Sequence, residues 1–216
     1  MRVLVFDFDG VIADSNHVKQ NSWFKIFEKD PLKVQEALKA SLAVMREAPR
    51  RQILADIARR LELNARATEE FVNAYADAYQ KAVEQGVVAG YYPQTDAALQ
   101  DLRKSLALYV SSATPQDGMD KTIDALGIRG YFAAVFGSPP DKTTTLRKII
   151  ADARLVPADV VCIGDGESDR KAAADVGCRF LGIANEFNRW SPMSGIELVE
   201  SVAALPAYLL THKEGS

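Results

Sequence analysis

The chain has 216 residues, 48% of them hydrophobic and 25% charged, which is room for one ordinary domain of about 150 residues plus an insertion and excludes disordered and fibrous classes. Its formal net charge of -3 creates no global positive field for nucleic acid or an anionic membrane. Neither is expected as a partner, and any anion must be caught locally.

Taken in chain order, the first apolar run of strand length is Val3 to Phe6, which ends directly on Asp7-Phe8-Asp9-Gly10. The pattern then becomes helical. Four helices are predicted, over Asn16 to Lys29, Pro31 to Met45, Arg50 to Leu63 and Thr68 to Gln85, with apolar stripes such as Val34, Leu38, Leu42, Met45 and Ile53, Ile57, Leu61. Asp30-Pro31 reads as an N-cap with proline at the first helical position, and Gly86 as a C-terminal stop. A helix from Asp96 to Ser105, opened at Thr95, leads into a strand over Leu106 to Val110 that ends on Ser111 and Ser112. Thr114-Pro115 opens the next helix, which carries Met119, Ile123 and Leu126 and stops at Gly127. A strand over Ala133 to Phe136 follows, then a turn through Gly137-Ser138-Pro139-Pro140, and a helix opened by Lys142 with Leu146, Ile149, Ile150 and Ala153 on one face. Val160 to Ile163 runs into Gly164-Asp165-Gly166-Glu167-Ser168-Asp169, and Phe180 to Ile183 is a fifth strand.

The strand-like runs are continuous rather than alternating, as in a parallel sheet buried on both faces. With helices between them they predict a doubly wound α/β sheet. One connection is too long: roughly a hundred residues separate Asp7 from Ser111, where a strand, crossover helix and strand need about 30. The surplus is read as a small helical domain over residues 15–86, inserted into an α/β core of residues 1–14 and 87–216. No window reaches the ~18 apolar residues of a membrane span. Four apolar residues between Arg2 and Asp7 are too few for a signal peptide. Cys162 and Cys178, in or beside apolar runs, read as reduced core thiols and a cytoplasmic protein.

Residues two apart in an extended chain point to one side, so Asp7 and Asp9 are expected to share a pocket. Two carboxylates that close cost free energy unless a cation lies between them or one holds a proton. A hard metal with a neighbouring acid/base fits, with a solvated turn as the plain alternative. A second acidic cluster, Asp165 and Asp169, also ends a strand, and ligands in such folds gather at the carboxyl ends of strands. Asp165 is expected to touch the metal directly. Asp169, one helical turn on, is expected in a supporting or water-mediated position, or as a helix cap. The Ser111 hydroxyl and the Lys142 ammonium, at a strand end and a helix start, suit the oxygens of a tetrahedral oxyanion.

Together, Asp7-Phe8-Asp9-Gly10-Val11, Ser111, Lys142 and Gly164-Asp165 through Asp169 resemble the four motifs of the haloacid dehalogenase-like hydrolase superfamily, in order, spacing and strand-end placement. The resemblance covers nearly the whole chain. It implies a Rossmann-like core, with the inserted helices as a type-one cap that closes over the active site. It also implies a two-step phosphoryl transfer: Asp7 as nucleophile forming an aspartyl-phosphate, and Asp9 as acid to the leaving group and then base to water. Mg²⁺ would be held by Asp7, the Asp9 backbone carbonyl and Asp165, with Asp169 nearby, while Ser111 and Lys142 hold the phosphoryl oxygens. Because the dehalogenases of the superfamily lack the acid at Asp9, a carbon-halogen substrate is not expected. Asp14-Ser15-Asn16-His17-Val18-Lys19 and Phe136-Gly137-Ser138-Pro139 are similar to stretches in its sugar-phosphate phosphatases and beta-phosphoglucomutase-like members.

The expected function is therefore Mg²⁺-dependent hydrolysis of a small phosphorylated metabolite, a sugar phosphate or a phosphoglycolate-like molecule, by a monomer or weak homodimer. A sugar phosphomutase is the alternative. Ser112, His17, Lys19 and Arg50 are expected substrate contacts. Arg50 belongs to a basic turn with Arg46 and Arg51 around Pro49, where such caps present specificity residues. Asn185, Asn188 and Arg189, after the fifth strand, are expected at the rim.

Overall fold

A computed structural model describes residues 1–45, 48–89, 92 and 94–212. The chain divides into two compact units, one of Met1–Asp14 with Gly90–Ser216 and one of Ser15–Ala89.

The first unit is built on a six-stranded parallel sheet. Its strands are β1 (Val3–Phe6), β2 (Ala107–Pro115), β3 (Ala134–Ser138), β4 (Val160–Gly164), β5 (Arg179–Ile183) and β6 (Leu198–Val199), in the order β3-β2-β1-β4-β5-β6. This is the doubly wound α/β class that the continuous apolar runs imply. The short β6 escapes a pattern reading, because two residues carry no periodicity. β1 pairs with β2 and β4 on its two sides, Phe6 standing level with Val110 and Ile163. The ladder continues one residue further, Asp7 N–H donating to the Ile163 carbonyl at 2.8 Å. Asp7 is thereby fixed at the carboxyl edge between the two central neighbours. One face of the sheet buries Val3, Val5, Val160 and Cys162 against Leu146 and Ile149 of α7 (Lys142–Asp152) and Ala172 and Ala173 of α8 (Glu167–Val176). The intervening Leu4 and Phe6 are fully buried, so β1 is apolar on both sides.

The second unit is all helical: α1 (Ser15–Ile26), α2 (Leu32–Met45), α3 (Arg50–Arg60) and α4 (Ala65–Ala89). Its core gathers Trp23, Phe27, Leu38, Ile53, Leu54, Ile57, Val72 and Tyr79, with Phe27 stacked on Tyr75 at 4.4 Å between centroids. Three helix ends differ from the sequence expectation. At α2 the Pro31 carbonyl takes the first helical bonds, and the Asp30 carboxylate accepts from the Tyr75 hydroxyl at 2.6 Å instead of capping. The fourth helix starts before Thr68, where the Asn64 side chain accepts from Ala67 N–H at 3.0 Å. It also runs through Gly86 to Ala89. That glycine is not a stop: a Cβ there would lie 2.5 Å from Cγ1 of Val18, so its smallness allows α1 and α4 to approach.

Helices α5 (Thr95–Leu102), α6 (Gln116–Ala125) and α9 (Leu205–Thr211) complete the first unit. Gly127, at φ +68, follows α6 as expected of a terminating glycine. Among the described residues no helix is long and apolar enough to cross a membrane.

Candidate active site

The carboxyl ends of β1, β2 and β4 and the starts of α7 and α8 bring together Asp7, Ser111, Lys142 and Asp169, which line one small cavity floored by Val5, Cys162 and Ala172. Each polar member is placed by a local feature. Asp7 extends β1, and its Oδ1 accepts from the Phe8 N–H at 2.8 Å. Lys142 opens α7 directly after Asp141, whose carboxylate caps the helix by accepting from Thr144 N–H at 2.7 Å. Asp169 lies in the first turn of α8 and accepts from Gly166 N–H at 3.2 Å. It is both the helix cap and a member of the site. Gly164 is what lets it in, since a Cβ at that position would lie 2.4 Å from the Asp169 Cβ.

The Lys142 ammonium joins the two elements, 3.0 Å from Asp7 Oδ1 and 2.5 Å from Asp169 Oδ1. Electrostatics here are crowded. Burial, repulsion from Asp169 and repulsion from Asp9 push the Asp7 carboxyl well above the usual carboxylate range, against the pull of Lys142. Asp169 is also raised by burial, against Lys142 and the Gly166 N–H. Burial alone would pull Lys142 down, but the two carboxylates outweigh it and hold the ammonium charged.

Carboxylate oxygens of Asp7, Asp165 and Asp169 fall within 4.8 Å of one another. Three carboxylates against one ammonium in a buried site form an oxygen donor set of the kind hard divalent cations use, and the upward pressure on Asp7 is what such a cation would relieve. The residues present therefore fit a divalent cation. Asp9 directs Oδ2 to the hydroxyl of Thr114, which donates at 3.0 Å. Ser111 faces the cavity, whereas the Ser112 hydroxyl accepts from Thr114 N–H at 3.0 Å.

The predicted residues of the helical unit are placed within that unit. His17 is exposed on α1, and Lys19, half-buried on the same helix, accepts at its carbonyl from the Tyr79 hydroxyl at 3.2 Å. Arg50 opens α3 and its guanidinium bonds the Gln80 side chain of α4, while Arg51 bonds Asn73 at 2.6 Å. Arg46 lies outside the described residues.

Three participants exceed what the sequence reading assigned. Thr114 reads from sequence only as a helix start; a hydroxyl three positions past Ser111 is the signal it left. Asn185 and Asn188 are more than rim residues, because both donate to Asp165, at its carboxylate and its carbonyl respectively.

The model of the haloacid dehalogenase-like hydrolase family matches residues 4–183, a span that holds Asp7, Asp9, Ser111, Thr114, Lys142, Asp165 and Asp169. The chain belongs to that family. Among curated relatives it is similar to a phosphoglycolate phosphatase of Vibrio vulnificus, 26% identical over 153 residues, 67% of this chain and 64% of the relative. The chain thus spans just under two thirds of that relative's length. It is similar over nearly its whole length to the phosphoglycolate phosphatase of Synechococcus elongatus, at 24% identity over 97% of this chain and 92% of the other. In fold it resembles a candidate beta-phosphoglucomutase of Thermotoga maritima, with a TM-score of 0.75 at 18% identity over 98% and 100% of the two chains. A 2-haloacid dehalogenase of Pseudomonas syringae shares the fold too, with a TM-score of 0.61 at 17% identity over 98% and 99%.

Proposed function

We propose that this hydrolase is a Mg²⁺-dependent phosphatase of a small phosphorylated metabolite, a sugar phosphate or a phosphoglycolate-like molecule, working through an aspartyl-phosphate. The observation that carries the reading is the different company kept by two neighbouring aspartates. Asp7 is buried beside an ammonium, as a nucleophile attacking an anion must be, while Asp9 is held by a hydroxyl that can donate to a carboxylate and accept from a carboxylic acid. Among the described residues both hydrogen bonds to the Asp7 side chain fall on Oδ1, which leaves Oδ2 to attack phosphorus. Asp9 then protonates the departing alkoxide and, in the second half, takes a proton from the water that opens the acyl phosphate. Lys142 and Ser111 hold phosphoryl oxygens and balance the charge that develops on them. The Asp7, Asp165 and Asp169 carboxylates with the Asp9 carbonyl would hold the cation, which supplies charge neutralisation when bound.

The Thr114-held acid and the two phosphoglycolate phosphatase relatives support a phosphatase over a dehalogenase, and the sequence likeness supports hydrolysis over mutase chemistry. We assign the inserted helices, residues 15–86, the part of a cap that excludes water and sets specificity, with His17, Lys19, Arg50 and Ser112 as candidate substrate contacts. A phosphate-release screen over sugar phosphates, nucleotides and phosphoglycolate, with Mg²⁺ and with chelator, tests the reading. Turnover that is confined to one small-metabolite class and abolished by chelator is expected. Release that continues in chelator overturns the metal dependence, and no release from any phosphate ester overturns the phosphatase.

A further inference from the structure

The loop after β5 is organised around two asparagines whose hydrogen-bonding capacity is closely accounted for. Asn185 Oδ1 accepts from the N–H groups of Phe187, at 2.8 Å, and Asn188, at 3.0 Å. That fixes the orientation of the amide, because only its NH₂ group remains for the carboxylate on the other side. Asn185 Nδ2 donates to Asp165 Oδ2 at 2.7 Å. Asn188 is anchored in the same way: its Oδ1 accepts from Asn185 N–H and Trp190 N–H, at 3.1 and 3.0 Å, and its Nδ2 donates to the carbonyls of Asp165 and Ile183, at 2.9 and 2.8 Å. One asparagine therefore locks the loop to the backbone at β4 and β5, and the other uses that locked loop to hold a carboxylate.

We propose that Asn185 is a positioning residue that presets the Asp165 carboxylate for a divalent cation. The inference rests on the reading of Asp7, Asp165 and Asp169 as the cation site. A neutral amide suits this task. It donates one directional bond that restricts carboxylate rotation, adds no positive charge to compete with the cation, and engages only one lone pair of one oxygen. An arginine or lysine in its place would neutralise the very charge that attracts the metal. Asn188 acts one step further out, through the backbone of Asp165 and the turn that carries Asn185.

Titration of the full-length protein with Mg²⁺ alone, followed by calorimetry, tests this without substrate. The informative variant is Asn185→Ser. Its hydroxyl can still accept from the Phe187 N–H and keep the turn, but it is too short to reach Asp165. With Asn185→Ala the turn contact is lost as well. We expect both to bind Mg²⁺ about ten- to a hundredfold more weakly than wild type, the usual range for loss of a partner that orients a metal ligand, and Asn185→Ser to keep the wild-type Tm in chelator. Wild-type affinity in Asn185→Ser overturns the proposal, also if Asn185→Ala is weakened, since the turn and not the clamp would then matter. Phosphate release by wild type is scored separately. Its absence would sink the phosphatase reading while the ratio of Mg²⁺ affinities still decides the role of Asn185.

Discussion

Thr114 reaches back across the sheet to Asp9, its hydroxyl 3.0 Å from Oδ2. Thr114 lies in the irregular stretch of β2 between Ser111 and Pro115, where the register with β3 shifts. Thr114→Val keeps the shape and removes the bond. If Asp9 delivers the proton to the leaving group, the variant should lose about tenfold or more in kcat on alkyl phosphates, the equivalent of about 1.5 kcal/mol for a hydrogen bond to a charged group. It should lose much less on p-nitrophenyl phosphate, whose leaving group needs little protonation. Thr114→Ser should recover most of the loss. Equal losses on both substrates would show that Thr114 shapes the loop instead.

Asp7→Asn should abolish phosphate release, since an amide is a poor nucleophile. It should also make the metal-free protein more stable at neutral pH. Asp7 has a folded-state pKa raised above that of the unfolded chain, by burial first and then by Asp169. Its stabilising contribution is complete below the unfolded value of about 3.9 and is lost as pH rises through the folded value. The gap in Tm between variant and wild type, measured in chelator, should therefore open as pH rises from about 4 and close again when Mg²⁺ is added to wild type. A gap that ignores pH would mean that the crowding around Asp7 carries no weight in stability.

What the sequence made legible follows its physics. Strands buried on both faces are continuous apolar runs, so β1 and β4 can be read nearly to the residue, and the charged residues that end them stand out for the same reason. Asn185 and Thr114 were less legible because asparagine and threonine are ordinary turn and cap residues. Their function depends on partners far along the chain, Asp165 and Asp9, that only the folded sheet brings near. Gly86 was misread through a rule that holds for helix ends, because a glycine needed for close packing and one needed for a left-handed turn look alike in sequence.

Asp56 in α3 should make the helical unit sensitive to acid. Its carboxylate accepts from Arg60, Arg59 and Ser41, at 2.7, 2.6 and 2.8 Å, and these bonds hold it far below the usual carboxylate range. A depressed folded-state pKa gives stability that is present above the unfolded value of about 3.9 and lost as pH falls toward the folded one. Arg59 is 70% exposed, so the net value is modest, and Asp56→Asn should cost about 1 kcal/mol at pH 7. The fluorescence of Trp23, buried in this unit, reports its unfolding in a Trp190→Phe background. The cost should shrink below about pH 4; a cost that persists unchanged there would assign the effect to packing.

Gly86→Ala sets two effects of opposite sign against each other. Alanine is favoured over glycine in a helix interior by about 1 kcal/mol, so a glycine that served no contact would give a more stable protein when replaced. Here the added methyl would sit 2.5 Å from Cγ1 of Val18, and a β-branched side chain has little rotamer freedom with which to move aside. Forcing a carbon into a packed helix pair costs about 1–3 kcal/mol, so the clash should win and the helical unit should be destabilised. Val18→Ala removes the colliding methyl. In the Gly86→Ala background it should recover stability, although alone it leaves a gap and should cost some. The double-mutant cycle, again read through Trp23, should show a favourable coupling of about 1 kcal/mol or more. Additive effects with a stabilising Gly86→Ala would mean that α1 and α4 do not approach here, and would remove the packing reason for a glycine inside α4.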